Sequence, residues 1–127
     1  MVHLAIRGEG SMLIGGEQRP YHWGTLQSRI FCENRGVELS GYQEAVSELT
    51  GAGGLKDSVL IVDLVHSALA AGAELHDLPF EYTPKKVSFW VDEAAQTTPE
   101  EIAKFFQTAR DLATTAPGKA KGPKEQK

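Results

Sequence analysis

The sequence predicts a mainly α-helical domain, in which about five helices pack round a central apolar helix and a small β-hairpin lies near the N-terminus. The segment 57–71, DSVLIVDLVHSALAA, is the most apolar stretch of the chain. At about 100° per residue its large apolar side chains cover about 200° of a helix circumference, so other elements should surround this helix. The segment 99–113 also repeats apolar residues with helical spacing. Near the N-terminus, two short apolar runs flank Gly15-Gly16, which is the pattern of a hairpin.

The first residues of the chain predict strands. Residues 2–7 alternate weakly between apolar and polar side chains, as a strand with one buried face does. We interpret 12–23 as the hairpin, with its turn at residues 15–18. Pro20 cannot donate to a strand ladder, so its strand should be an edge.

Two helices should follow the hairpin. The first is predicted over 25–35 and should end at Gly36. Its apolar side chains Leu26 and Ile30 share a face while Phe31 points elsewhere, so this helix is expected to touch two neighbours. The second should begin at a Ser40 cap and run to about residue 50, before a Gly-rich loop.

The central segment 57–71 leaves two interpretations open. Residues 59–65 are rich in β-branched side chains and are compatible with a buried strand. The length and the Ala-rich end favour a helix, with Asp57 as N-cap and Gly72 as C-cap. The polar positions of that helix fall in one narrow wedge, which we interpret as exposed: Asp63, His66 and Ser67.

Two more helices are predicted after the link 73–82. Thr83 and Pro84 open the fourth as N-cap and first helical residue. In the fifth, Glu101 is placed to complete a capping box with Thr98, and Glu100 stands four residues before Lys104, an ion pair in the favourable order. The apolar positions of these two helices predict their inner faces: Val87, Trp90, Val91 and Ala94, then Ile102, Phe105, Phe106, Ala109, Leu112 and Ala113.

Composition predicts a single helical domain over 1–113, followed by a disordered Lys-rich tail over 114–127. The net charge is −4. The tail holds four lysines and one glutamate, a balance of +3, so residues 1–113 carry −7. A domain this acidic is not expected to bind nucleic acid. The central segment is too short to span a bilayer, and no signal peptide is visible, so we expect no membrane partner and a cytosolic location.

No motif predicts catalysis, a metal or a cofactor. The Gly-rich stretch 51–54 lacks the Gly-Lys-Ser/Thr run of a phosphate loop. The histidines and the lone Cys32 show no ligand spacing, and nothing in the sequence brings them together as a nucleophile and base. Asp63 and His66 are one turn apart, which we interpret as a surface pair. We expect a non-enzymatic protein.

One apolar residue stands out because it lies on a charged helix face. Phe89 is opposite Val87 and Val91 and beside Lys85 and Lys86. Such a residue is either covered by another part of the fold or available to a partner. Folding of 78–80 back over it would give the covered arrangement. The partner interpretation makes these positions, together with two on the last helix, candidates for binding: Phe89, Lys85, Lys86, Phe105 and Phe106.

The order of these segments resembles the tail assembly chaperones of long-tailed bacteriophages and related gene transfer agents. The resemblance covers about 12–113, and four stretches carry it. They are IGGEQRPYHWG before the first helix, ELTG at the end of the second, LAAGAEL at the end of the central helix, and LPFEYTPKKVSFWVDE. The sequence departs from the pattern in residues 1–10 and in the loop 51–54.

The resemblance implies binding without catalysis. Such proteins coat the tape-measure protein, help to recruit tail-tube subunits in the host cytoplasm, and leave before the virion is complete. It also implies that a ribosomal frameshift near the end of the gene can yield a longer product. Homo-oligomerisation is left open. The alternative is a structural virion component, such as a head–tail connector or neck subunit.

Overall fold

Seven elements follow one another along residues 8–47 and 58–114, the part of the chain that the computed structural model describes. Two antiparallel strands come first and five helices follow, which confirms the predicted fold class. The predicted strand 2–7, the Asp57 cap, the loop 51–54 and the tail beyond residue 114 lie outside the described residues. The elements are β1 (Glu9–Ile14), β2 (Glu17–His22), α1 (Thr25–Arg35), α2 (Leu39–Ser47), α3 (Ser58–Leu75), α4 (Pro84–Thr97) and α5 (Pro99–Thr114).

The hairpin turns in two residues rather than the predicted four. Gly15 and Gly16 have φ values of 64° and 86°, the left-handed pair of a type I′ turn, which favours glycine at both positions. Glu17 and Gln18 therefore belong to β2. Pro20 faces Ser11, and counting from the turn makes this a non-hydrogen-bonded pair, so the missing N–H disrupts no ladder bond.

The central apolar segment is a helix, and the strand interpretation of 59–65 is wrong. α3 contacts β2, α1 and α4, and its apolar side chains form the middle of one continuous core. Its 18 residues make α3 longer than predicted, long and apolar enough to cross a membrane by length and composition alone. Because 61% of it is buried within the fold, as in the core helix of a soluble protein, that resemblance to a span is weak.

Gly72 does not end α3, contrary to the prediction. It is buried inside the helix, where a Cβ would lie 2.4 Å from the Pro20 carbonyl oxygen. The glycine therefore lets β2 approach the helix backbone. The true end follows three residues later, where Asp77 has a φ of 57° and the Leu78 amide donates to the Ala73 carbonyl at 2.8 Å. This is a Schellman arrangement with aspartate in the left-handed position.

The remaining helices keep their predicted places with local corrections. α1 ends at Gly36, whose φ is 67°, and it contacts both α2 and α3 as expected. Its buried residues, however, are Gln27 and Phe31, while Leu26 is 37% exposed. α2 begins at residue 39, so Ser40 lies inside the helix rather than at its cap. α5 runs through residue 114, one residue beyond the predicted domain boundary.

Glu101 does not complete a capping box. Only Thr98 separates α4 from α5, and its amide already donates to the Ala94 carbonyl at 2.8 Å to close α4. The Glu101 carboxylate instead accepts from the Leu13 amide of β1 at 2.8 Å. It also lies 3.7 Å from Lys104, which replaces the predicted Glu100 pair. The residue thus ties α5 to the hairpin.

The polar wedge of α3 is mostly buried, contrary to the expected surface position. Ser67 is fully buried and accepts from the Gln27 amide at 3.1 Å. The Gln27 carbonyl in turn accepts from the Tyr42 hydroxyl at 2.7 Å. Asp63, which was predicted to form a surface pair with His66, forms a salt bridge with Arg35 of α1 at 3.3 Å. Buried polar groups of this kind need partners, and here they join α1, α2 and α3.

Candidate partner-binding surface

The outer face of α4 is fixed by how the helix begins and by what it buries. The Thr83 hydroxyl accepts from the Lys86 amide at 3.2 Å, and Pro84 occupies the first helical position. Both features match the predicted start. The predicted inner face is also confirmed, because each of its members is buried: Val87, Trp90, Val91 and Ala94.

Phe89 is the most exposed large apolar side chain among the described residues, at 71%. Lys85 and Lys86 precede it by four and three residues, so they neighbour it on the helix surface. Both lysines are exposed, as are Asp92 and Glu93 one turn further on. An apolar ring therefore lies between a basic and an acidic end of one helix face. We call Lys85, Lys86, Phe89, Asp92 and Glu93 the Phe89 surface.

The link before α4 does not cover Phe89, so the covered interpretation is wrong for the described residues. Phe80 packs its ring against the rings of His66 and Tyr82. Its ring centre is 5.6 Å from that of His66 and 5.3 Å from that of Tyr82. Leu78 stands at the end of α3 and is 50% exposed. The Phe89 side chain therefore stays exposed to solvent.

Phe105 and Phe106, the two candidates on the last helix, are core residues. They are 0% and 6% exposed. The Phe105 ring lies 4.6 Å from Trp23 and 4.8 Å from Tyr21, and the Trp23 indole N–H donates to the Phe105 carbonyl at 3.1 Å. The hairpin covers this side of α5, so these phenylalanines offer no side-chain surface to a partner. The amphipathic pattern that suggested Phe105 and Phe106 as binding candidates arises because this face of α5 is buried in the core.

Arg19 supports α4 from beneath, a role that the sequence did not indicate. Its guanidinium lies 4.3 Å from the Trp90 ring centre and 5.0 Å from that of Tyr82. Its Nε donates to the Ile14 carbonyl at 2.9 Å. Cation–π stacking of this kind stabilises by about 0.5–2 kcal/mol. No local pattern pairs a hairpin arginine with aromatics that lie more than sixty residues away, so only the fold reveals it.

The two lysines of the Phe89 surface oppose the helix dipole. The first turn of α4 contains no acidic residue, although the partial positive charge there favours carboxylates by about 0.3–1 kcal/mol each. The Phe89 surface therefore breaks two local rules: it exposes a phenylalanine and places cations at a helix N-terminus. Such violations are expected where a surface serves a purpose other than stability.

His66 has a structural role, because its ring joins α3 to α1 and to the link before α4. Burial lowers the pKa of His66, an effect that the hydrogen bond to the Tyr82 carbonyl and the charge of Asp63 oppose. His66 lies 3.0 Å from the Asn34 amide and 2.9 Å from that carbonyl.

Among the described residues no group of three or more His, Cys, Asp or Glu side chains could hold a metal ion.

Comparison with known proteins adds no relative. No protein-family model matches the chain, and neither a curated protein nor a solved structure matches it significantly.

Proposed function

We propose that this chain is a non-catalytic tail assembly chaperone that binds a tape-measure protein and helps to recruit tail-tube subunits. The order of sequence stretches across 12–113 suggests the family, and the fold class agrees with what the resemblance implies. The observation that carries the proposal is the Phe89 surface, where a phenylalanine is 71% exposed on a helix whose opposite face is buried.

The physical argument concerns what such a chaperone must do. A long apolar helix stays soluble only if its apolar strip is covered, and helix recognition requires an apolar contact on the binding protein. Phe89 supplies that contact. The flanking lysines and carboxylates can pair with charges beside the strip. The excess of acidic residues over 1–113 gives the complex net charge, which opposes aggregation.

Co-expression tests the proposal. The probe is the very long, Ala- and Gly-rich helical protein that we expect a neighbouring gene to encode. Expressed alone, it should be largely insoluble; expressed with this chain, most of it should be in the soluble fraction and should purify with the chain. Equal solubility in both cultures, or a genome without such a neighbour, would refute the proposal.

The alternative is a connector or neck subunit of the virion. The spread of half-exposed apolar side chains over several elements favours it, because a ring subunit needs contacts on more than one side; examples are Leu39 at 55% and Val59 at 62%. Light scattering separates the two functions. A monomer or small oligomer fits the chaperone, whereas a ring of fixed size fits the connector.

A further inference from the structure

Two adjoining cavities flank the link between α3 and α4. One, of about 270 Å³, lies between β2, the end of α3 and the link. The other, of about 470 Å³, lies between α1, α3 and the link. They share Ala73, Leu78 and Phe80 as lining residues. We call the two cavities together the Leu78 groove.

Leu78 is held in place although half of it is exposed. The Leu78 amide donates a hydrogen bond to the Ala73 carbonyl, which closes the end of α3. An apolar contact between the side chains at these two positions is typical of the Schellman motif. Next to it, Phe80 packs partly against the core. A partner that binds here would meet an ordered apolar ridge, which reduces the entropy lost on association.

The edge of the Leu78 groove is acidic. Glu17 and Glu74 line the two cavities, and Asp77 and Glu81 are exposed immediately beside the ridge. Among the described residues no salt bridge forms to Glu74, Asp77 or Glu81. No lysine lines either cavity. The single lining arginine, Arg19, has only 13% of its side chain exposed.

We propose that the Leu78 groove binds an amphipathic helix of a partner protein, with apolar side chains in the two cavities and lysines or arginines against the acidic edge. Leu78 and Phe80, which line both cavities, favour large apolar side chains in the partner. Glu17 pairs with Arg19 at 3.5 Å, so the carboxylates left to select a basic helix are those of Glu74, Asp77 and Glu81. The chain's own tail has the lysines but no large apolar residue. A second copy bound through the same face would bring the acidic edges together, which like charges disfavour.

The groove shares no residue with the Phe89 surface and does not depend on the proposed function. Peptide binding at Leu78 without any effect on a tape-measure protein would uphold the groove and refute the chaperone. The opposite result would uphold the chaperone and refute the groove.

Titration with a synthetic helix tests the inference. The probe is a peptide of about 18 residues, five turns, with leucines on one face and lysines on the other. Two control peptides carry glutamates in place of the lysines or glutamines in place of the leucines. Calorimetry on the full chain should give micromolar binding of the probe and at least tenfold weaker binding of both controls.

Matched variants locate the binding. Leu78→Ser should weaken binding of the probe at least tenfold. Glu74→Lys, which reverses the charge of an exposed residue without touching the core, should weaken it at least threefold. Val59→Ser and Glu100→Lys, equally exposed changes elsewhere, should stay within twofold. Circular dichroism checks that each variant is folded.

Four results would overturn the proposal. The first is no binding of the probe, and the second is equal effects of Glu74→Lys and Glu100→Lys. The third is a dimer in light scattering that Leu78→Ser dissociates. The fourth is at least tenfold tighter probe binding once the four tail lysines are changed to glutamine, which removes their charge without adding carboxylates. The third would make a second copy the occupant, and the fourth would make it the tail.

Discussion

At the scale of single residues, His66 is a buried polar side chain whose two ring nitrogens both have hydrogen-bond partners. The Tyr82 carbonyl can only accept, so Nε2 of His66 carries the proton and donates to it. Nδ1 is then free to accept from the Asn34 amide. The neutral ring therefore satisfies both contacts, whereas protonation of Nδ1 would place two donors against each other.

This arrangement predicts how stability depends on pH. The pKa of His66 is lowered by burial, so at a pH between its folded value and the ordinary 6.5 the unfolded chain binds more protons than the folded one. Stability should therefore fall as pH falls below about 6.5, by no more than about 1.4 kcal/mol per pH unit, the slope of one proton.

Urea unfolding at several pH values between 5 and 7 measures this slope. His66→Gln should lose less stability than the wild type over that interval, because it removes the titrating group. Parallel curves for the two proteins, or an NMR titration that places the pKa of His66 at or above 6.5, would contradict the prediction.

At the scale of elements, the packing of α3 on β2 depends on a residue whose meaning the local sequence conceals. A glycine after an Ala-rich run is a typical helix stop, and Gly72 was predicted as one. It is instead a point of close approach between helix and strand. Which of these applies depends on where β2 lies, and β2 is some fifty residues away in the chain.

Gly72→Ala should therefore destabilise the fold. In an exposed helix the same change stabilises by up to about 1 kcal/mol, but here the Cβ would meet backbone atoms of Pro20 and Tyr21 within 2.5 Å. Separating the two elements should lower the free energy of unfolding by about 2–3 kcal/mol. Urea denaturation provides the measurement.

Gly41→Ala in α2 is the matched control. The three atoms nearest to its Cβ would all belong to the side chain of Val37, at 3.1 to 3.7 Å, and Val37 is 38% exposed. We expect a loss of no more than about 0.5 kcal/mol. A loss at Gly72 no larger than that at Gly41 would show that the close approach does not limit the packing of α3.

The same scale separates what the sequence could predict from what it could not. Hydrophobic periodicity located the hairpin, the five helices and the inner face of α4, because each depends on residues a few positions apart. The Glu101 bond to the Leu13 amide spans 88 residues. The buried Gln27–Ser67 pair spans 40. Such contacts depend on how the elements are arranged, and propensity contains no information about that.

The candidate surface follows the same division. Phe89 lies on the opposite side of the helix from Val87 and Val91, so the sequence predicted it on the outer face of α4. The structure shows that it is exposed. Phe105 and Phe106 were misjudged because an amphipathic helix looks the same whether its apolar face meets the core or a partner. Here Tyr21 of β2 and Trp23, just after β2, cover that face.

At the scale of the whole molecule, one core joins the hairpin to the helices, and two of the apolar side chains that stay exposed, Leu78 and Phe89, lie on different elements. The Phe89 surface and the Leu78 groove are lined by different residues, so the chain has two separate faces that could bind partners. A protein that coats one component and recruits another needs such a division.

The affinity for a purified segment of the tape-measure protein tests the central claim most directly, because it measures binding at the Phe89 surface. Phe89 contributes nothing to the core, so Phe89→Ser should keep the fold and thermal midpoint. It should weaken binding at least tenfold, about 1.4 kcal/mol. Val59→Ser, which removes a comparably exposed side chain from α3, should bind within twofold of the wild type. Unchanged affinity for Phe89→Ser, or no binding by the wild type, would contradict the account.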